Sequence, residues 1–247
     1  MNNQSNQQNH YLRWTKVERW QHWILAISFG VLAVSGFALK YPESWWAFPL
    51  VIMEEGFGGR GLLHRVAATA FLALSVFHLG YLGLTRRGRE IFRAMLPILR
   101  DVRDARENFK YLLGRKVEPP AYDHFSYIEK LEYWALVWGT VVMSVTGLLL
   151  WFESVALSFL PLWAMDIMTA IHLYEAWLAT LAIFVWHFYA VIFNPEVYPL
   201  NTSMVTGLMS EREMALEHGR ELARLRKQTT QEVAEPSATE TGQRETA

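Results

Sequence analysis

Four long apolar runs, separated by polar or irregular connections, organise this chain: about 23–39, 66–84, 131–152 and 164–193. A helix needs roughly 20 apolar residues to cross the hydrocarbon layer of a membrane. The first run is short for that and extends a turn earlier, from Val17. Trp20, Trp23, Trp45, Trp46, Trp134, Trp151 and Trp163 fall near run ends, where an aromatic belt belongs. The pattern predicts an all-α fold, an integral membrane four-helix bundle.

The connections differ in character. Residues 1–16 form a polar N-terminal segment ahead of a membrane domain spanning 17–195. Pro42, Pro49 and the Gly56, Gly58, Gly59 and Gly61 cluster predict an irregular loop over 41–63, with Trp45, Trp46 and Phe48 on the membrane surface or against a partner. The central connection, 85–127, contains an amphipathic stretch, Ile91–Leu113, whose Ile91, Met95, Ile98, Leu99 and Val102 recur at helical spacing. That stretch is expected to lie along the membrane interface, and Pro119 and Pro120 break the chain before the third run. Residues 196–227 read as a helical extension, with Ser210 as N-cap and Glu213 three residues on opening a helix over 210–227. The Thr-, Glu-, Gln- and Ser-rich stretch 228–247 is expected to be disordered.

Charge orients the runs. Arg13, Lys16 and Arg19 precede the first, and ten basic residues between Arg86 and Lys116 lie between the second and third. No Lys or Arg separates Glu153 from Asp166. The positive-inside rule therefore expects both termini and the central connection on the cytoplasmic side of a bacterial inner membrane. The Asn/Gln-rich start lacks the basic opening of a signal peptide. A 52% apolar, 14% aromatic composition suits a chain in lipid; the net charge of −1 adds nothing, because the asymmetry is local, and no nucleic acid is expected.

The candidate chemistry lies in histidine. His10, His124 and His218 stand in polar sequence and are expected to be solvated. Five others stand in or at the ends of the apolar runs, where an imidazole is costly and usually functional. His64 and His78 are 14 residues apart, about 21 Å of helix and within about 40° of one face. His172 and His187 are 15 apart, about 22 Å with an offset of about 60°. His22 opens the first run. Two helices so marked suit two stacked planar cofactors, one near each membrane surface, and haem takes neutral imidazole from both sides. The chain has no cysteine, which excludes covalent c-type haem, Cys-ligated clusters and disulfides. Depth pairs His64 with His172 near the outer surface. Near the inner surface His187 has two competitors, His22 and His78.

The segments Arg19-Trp20-Gln21-His22-Trp23, Gly59-Arg60-Gly61-Leu62-Leu63-His64, Glu129-Lys130-Leu131-Glu132-Tyr133-Trp134 and Ile171-His172 through Trp186-His187-Phe188-Tyr189 resemble the di-haem cytochrome b subunits of formate dehydrogenase and nickel–iron hydrogenase, over about residues 13–195. The resemblance implies two haem b groups with iron ligands His22, His64, His172 and His187. The step in the fourth run is one residue longer than is usual in those relatives, and His78 is a departure, an alternative inner ligand in place of His22. Arg13, Arg19 and Arg65 are candidates to neutralise haem propionates.

The resemblance also implies a quinone or quinol (menaquinone or ubiquinone). Its two-electron, two-proton chemistry needs proton-carrying groups, for which Ser126, Tyr127, Glu129 and Lys130 at the start of the third run are candidates. The resulting expectation is a subunit of an oxidoreductase complex that moves electrons across the membrane between the quinone pool and an extracytoplasmic redox subunit: a dehydrogenase, an iron–sulfur protein or a multihaem cytochrome c. Two other classes compete. One is a haem-free anchor or assembly subunit, and the other is a proton-coupled transporter using the histidines as a relay.

Overall fold

A computed structural model describes residues 10–195 and 197–234. The fold is all-α apart from one two-stranded ribbon, β1 (His10–Leu12) with β2 (Leu208–Ser210). The chain divides into a larger unit, residues 12–96 and 131–208, and a smaller one that includes 97–130 and 209–234.

Helix α1 (Lys16–Lys40) starts at a capping box: Thr15 Oγ1 accepts from the Glu18 N–H, and Glu18 accepts from the Thr15 N–H. The next segment is not the expected irregular loop. Pro49, tolerated in a first turn, opens α2 (Phe48–Phe57), an apolar run that continues until Gly58 takes φ 67°. Helix α3 (Gly59–Leu84) follows at once and packs against α1. Thr85 ends α3 and caps α4 (Arg86–Met95) through Gly88 N–H.

The stretch 91–113 is not one helix either. Pro97 cannot donate a backbone hydrogen bond, and α5 (Leu99–Leu112) restarts with Asp101 accepting from Ile98 N–H. Helix α6 (Tyr127–Trp151) is the third long apolar helix, and a single turn, α7 (Glu153–Ala156), follows it. Helix α8 (Leu162–Leu181) continues through π-helical turns at Ala182–His187 and Tyr189–Phe193.

Four helical segments, Lys16–Lys40, Gly59–Leu84, Tyr127–Trp151 and Leu162–Phe193, are long and apolar enough to cross a membrane. Their packing is that of a membrane protein. Ile27, Val34, Val76, Leu79, Trp138 and Leu178 are exposed, while the buried positions include Ser28, Ser35, Ala38, Ala67 and Thr146. Small residues let helix backbones approach where lipid offers no hydrophobic driving force between helices.

Helix α9 (Ser203–Thr206) is a short turn. In the smaller unit Ser210 caps α10 (Glu211–Glu217) with a full Ser210–Glu213 box. The predicted helix over 210–227 is interrupted at His218, and α11 (Gly219–Ala234) runs past 228, where the composition suggested disorder would begin; 235–247 lie outside the described residues. Met209, Met214 and Leu222 form a small core with Tyr11 and Leu225 beside it. His218, expected to be solvated, is 2% exposed and donates from Nδ1 to the Asp123 carbonyl. His124 pairs with Glu221 at 2.6 Å. The two rings tie the 123–124 segment to the α10–α11 junction and to α11, polar sequence that is nonetheless folded. His10 is exposed, as expected.

Candidate functional site

All five apolar-run histidines lie in the larger unit, on α1, α3 and α8 and the π turn that extends α8. One pair is His64, held from near the C-terminal end of α1, and His172, held from α6. Each ring is held in the same way. Ser35 Oγ donates to the Val31 carbonyl at 2.6 Å and lies 2.8 Å from His64 Nδ1. Thr146 Oγ1 donates to the Val142 carbonyl at 2.8 Å and lies 2.8 Å from His172 Nδ1. A hydroxyl has one proton to give. With that proton spent on the carbonyl, it accepts from the imidazole Nδ1–H. Both rings then present an unprotonated Nε2, the form in which imidazole binds a metal.

Gly36 and Gly147 follow these hydroxyl residues, and a Cβ at either would stand 3.4 Å and 3.2 Å from the Cε1 of His64 and His172, respectively. The missing side chains are what let the rings lie against α1 and α6.

In the other pair, His22 and His187 face one another with ring centroids 6.2 Å apart and planes 43° apart. His187 Nδ1 lies 3.4 Å from Glu132 Oε2. The other Glu132 oxygen and His22 Nδ1 are buried with no hydrogen-bond partner. His78 differs from all of these. Its Nδ1 is 2.7 Å from Gln21 Oε1 and its Nε2 is 3.2 Å from the Tyr133 hydroxyl. Nδ1–H donates to the amide oxygen and the phenol donates to Nε2, so no lone pair remains.

The histidines come together two at a time. No group of three or more His, Asp or Glu side chains placed to hold a metal ion occurs among the described residues. Two imidazoles complete a haem iron, whose other four ligands come from the porphyrin. The donor set, with Nε2 free at His64 and His172 and the His22 and His187 rings facing one another, fits that group.

The basic candidates are placed less uniformly. Arg65 lies over the Trp151 ring at 5.6 Å, and Arg13 is buried with its guanidinium over Trp14 at 5.2 Å. Arg19 donates from Nη1 to the Val205 carbonyl and keeps a buried, unpartnered Nε. Sequence reading overlooked Arg60, one turn before His64. It is buried, donates to the Ser35 carbonyl at 3.3 Å, and pairs with Glu54 at 3.0 Å. Glu132 and Glu175 were overlooked as well. Glu175 stands in the fourth span and reaches Gly139, where a Cβ would meet its Oε1 at 2.8 Å.

Ser126, Tyr127, Glu129 and Lys130 belong to the smaller unit. Ser126 and Glu129 cap each other, and Lys130 Nζ binds Asp101 at 2.9 and 3.0 Å. The Tyr127 hydroxyl accepts from Asn108 Nδ2 at 2.9 Å.

The sequence profile described as prokaryotic cytochrome b561 matches residues 13–207, a stretch that holds all five of these histidines and all four spans. The chain belongs to the prokaryotic cytochrome b561 family. It is a membrane cytochrome b of electron transfer, and haem b is the cofactor the family implies. No curated protein sequence matches the chain.

Proposed function

We propose that this cytochrome holds two b haems, one between His64 and His172 and one between His22 and His187. It carries electrons across a bacterial cytoplasmic membrane between the quinone pool and an extracytoplasmic redox subunit. The observation that carries the reading is the pair of hydroxyl-fixed imidazoles, His64 and His172, each with Nε2 left free. His22 is preferred to His78 because His78 has both nitrogens engaged. Bound haem supplies one-electron chemistry at each level. The chain orients the imidazoles, brings Arg60 within a turn of His64, and keeps the rings among apolar helices.

Both termini and the connection between α3 and α6 are assigned to the cytoplasm, from the basic residues 86–116. The partner must bring its own clusters or haems, since a chain without cysteine holds neither iron–sulfur clusters nor c-type haem. Formate dehydrogenase-type and hydrogenase-type catalytic subunits are the classes the motif resemblance suggests. The resemblance implies a quinone, and the proton-carrying groups at the start of α6 are the proposed site for it. Of the four candidates there, the Tyr127 hydroxyl accepts from Asn108 and retains its own proton to donate.

The test is reduction by a quinol. Purified protein in liposomes is mixed anaerobically with a menaquinol or ubiquinol analogue while the haem bands are followed. Reduction by quinol, slowed in Tyr127→Phe, is the expected result. Haem bands that respond to dithionite and to no quinol would refute the quinone assignment.

A further inference from the structure

The spans carry a register that repeats. Gln21 and Ser35 on α1 are 14 residues apart, and so are Glu132 and Thr146 on α6. Fourteen residues return to one helix face within about 40° after about 21 Å. All four residues face the Nδ1 of a histidine on the histidine-bearing helix that follows. Gln21 and Ser35 meet His78 and His64 on α3; Glu132 and Thr146 meet His187 and His172 on the α8 segment. Each hydroxyl residue is followed by a glycine that a ring edge approaches.

The one irregularity is the 15-residue step from His172 to His187, and it falls where α8 passes into the π turn Ala182–His187. A π turn bonds i to i+5 and so takes in one extra residue, a device frequent at functional sites. The residues after Gln21 and Glu132 are His22 and Tyr133. In the first half that position carries the imidazole facing His187, and in the second a phenol that closes off His78.

Back-bonding of Ser and Thr to the carbonyl four residues earlier is common in helices. Ser28, Thr69 and Ser75 do it here with no imidazole attached. Ser35 and Thr146 are set apart by the ring they hold as well.

We infer that the four spans are two copies of one helix pair, and that the first helix of each copy carries the positioning residues of the haem ligands: Ser35 for His64, Thr146 for His172 and Glu132 for His187. The inference rests on the haem assignment above. An acceptor at Nδ1 makes the imidazole a stronger donor to iron and favours the oxidised haem. The two sites therefore differ in kind. One has two hydroxyl acceptors; the other has a carboxylate on one ring and none on the other.

The experiment is a redox titration of the purified holoprotein, with electron paramagnetic resonance of each haem, in Thr146→Val, Thr146→Ser and Glu132→Gln. Thr146→Val is expected to raise the potential of the His64–His172 haem alone, and Thr146→Ser to restore it. Glu132→Gln is expected to raise the potential of the His22–His187 haem alone. Loss of one haem in Thr146→Val with recovery in Thr146→Ser supports the same role. Unchanged potentials and resonances in both Thr146→Val and Glu132→Gln would overturn the inference, as would one substitution moving both haems equally. Absence of haem from the unsubstituted chain would instead overturn the assignment beneath it.

Discussion

Substituting the two competing histidines separates a ligand from a hydrogen-bonded neighbour. In His78→Ala, Gln21 Oε1 loses a partner at 2.7 Å and the Tyr133 hydroxyl one at 3.2 Å. Side-chain hydrogen bonds within membranes average about 0.6 kcal/mol each, and a buried acceptor left unpaired costs about 1–3 kcal/mol. Gln21 is buried, so the expected loss is about 1–3 kcal/mol in all. At a few degrees of melting temperature per kcal/mol for a chain of this size, that is measurable and survivable. Both haems should stay six-coordinate and low-spin. His22→Ala removes an imidazole whose Nδ1 has no partner, so little hydrogen bonding is lost, yet the haem opposite His187 should become high-spin or be lost. Low-temperature electron paramagnetic resonance of the oxidised variants, with haem quantified in the same samples, reads both effects. Loss of a haem in His78→Ala with both retained in His22→Ala would refute the assignment.

Other substitutions test the frame around the site. Gly147→Ala places a Cβ 3.2 Å from His172 Cε1. The ring must give by a few tenths of an ångström, so the resonance of the haem assigned to His172 should shift while the other stays; an unaltered spectrum would refute the close approach. Glu54 accepts from the Gly61 N–H and pairs with Arg60, which together hold its carboxyl below the usual carboxylate range. A folded-state pKa below the unfolded one stabilises above the unfolded value and is lost as pH falls through the folded value. Thermal stability should therefore drop on acidification less steeply in Glu54→Gln than in the parent, and equal slopes would contradict it. Arg220 binds Asp104 through two 2.7 Å hydrogen bonds. Arg220→Ala leaves that buried carboxylate unmatched at a cost of about 2 kcal/mol and should speed proteolysis within α10–α11; an unchanged cleavage rate would argue against it.

The spans were legible in the sequence because length and hydropathy report directly on bilayer thickness. The boundaries were less so. Pro49 and Pro97 look alike in a hydropathy trace, yet the first opens α2 and the second separates α4 from α5. The expected histidine levels were read from helix rise and the alternating direction of the runs. The expectation of His22 over His78 rested on resemblance alone, since which ring nitrogens are already bonded is tertiary information. Glu132 and Thr146 carried a readable signal, the same 14-residue step as His64 to His78, but Glu132 resembles any charged residue near a helix start. His124 and His218 misled because polar sequence was taken for solvent exposure, and ion pairs such as Arg220–Asp104 build a folded unit from such sequence.

The most direct test of the account is the haem content of the purified, folded chain by pyridine haemochrome, resolved by potentiometric titration. Two b haems per chain, titrating as two components, are predicted by imidazole pairs at two levels. One haem or none in a folded preparation would contradict it.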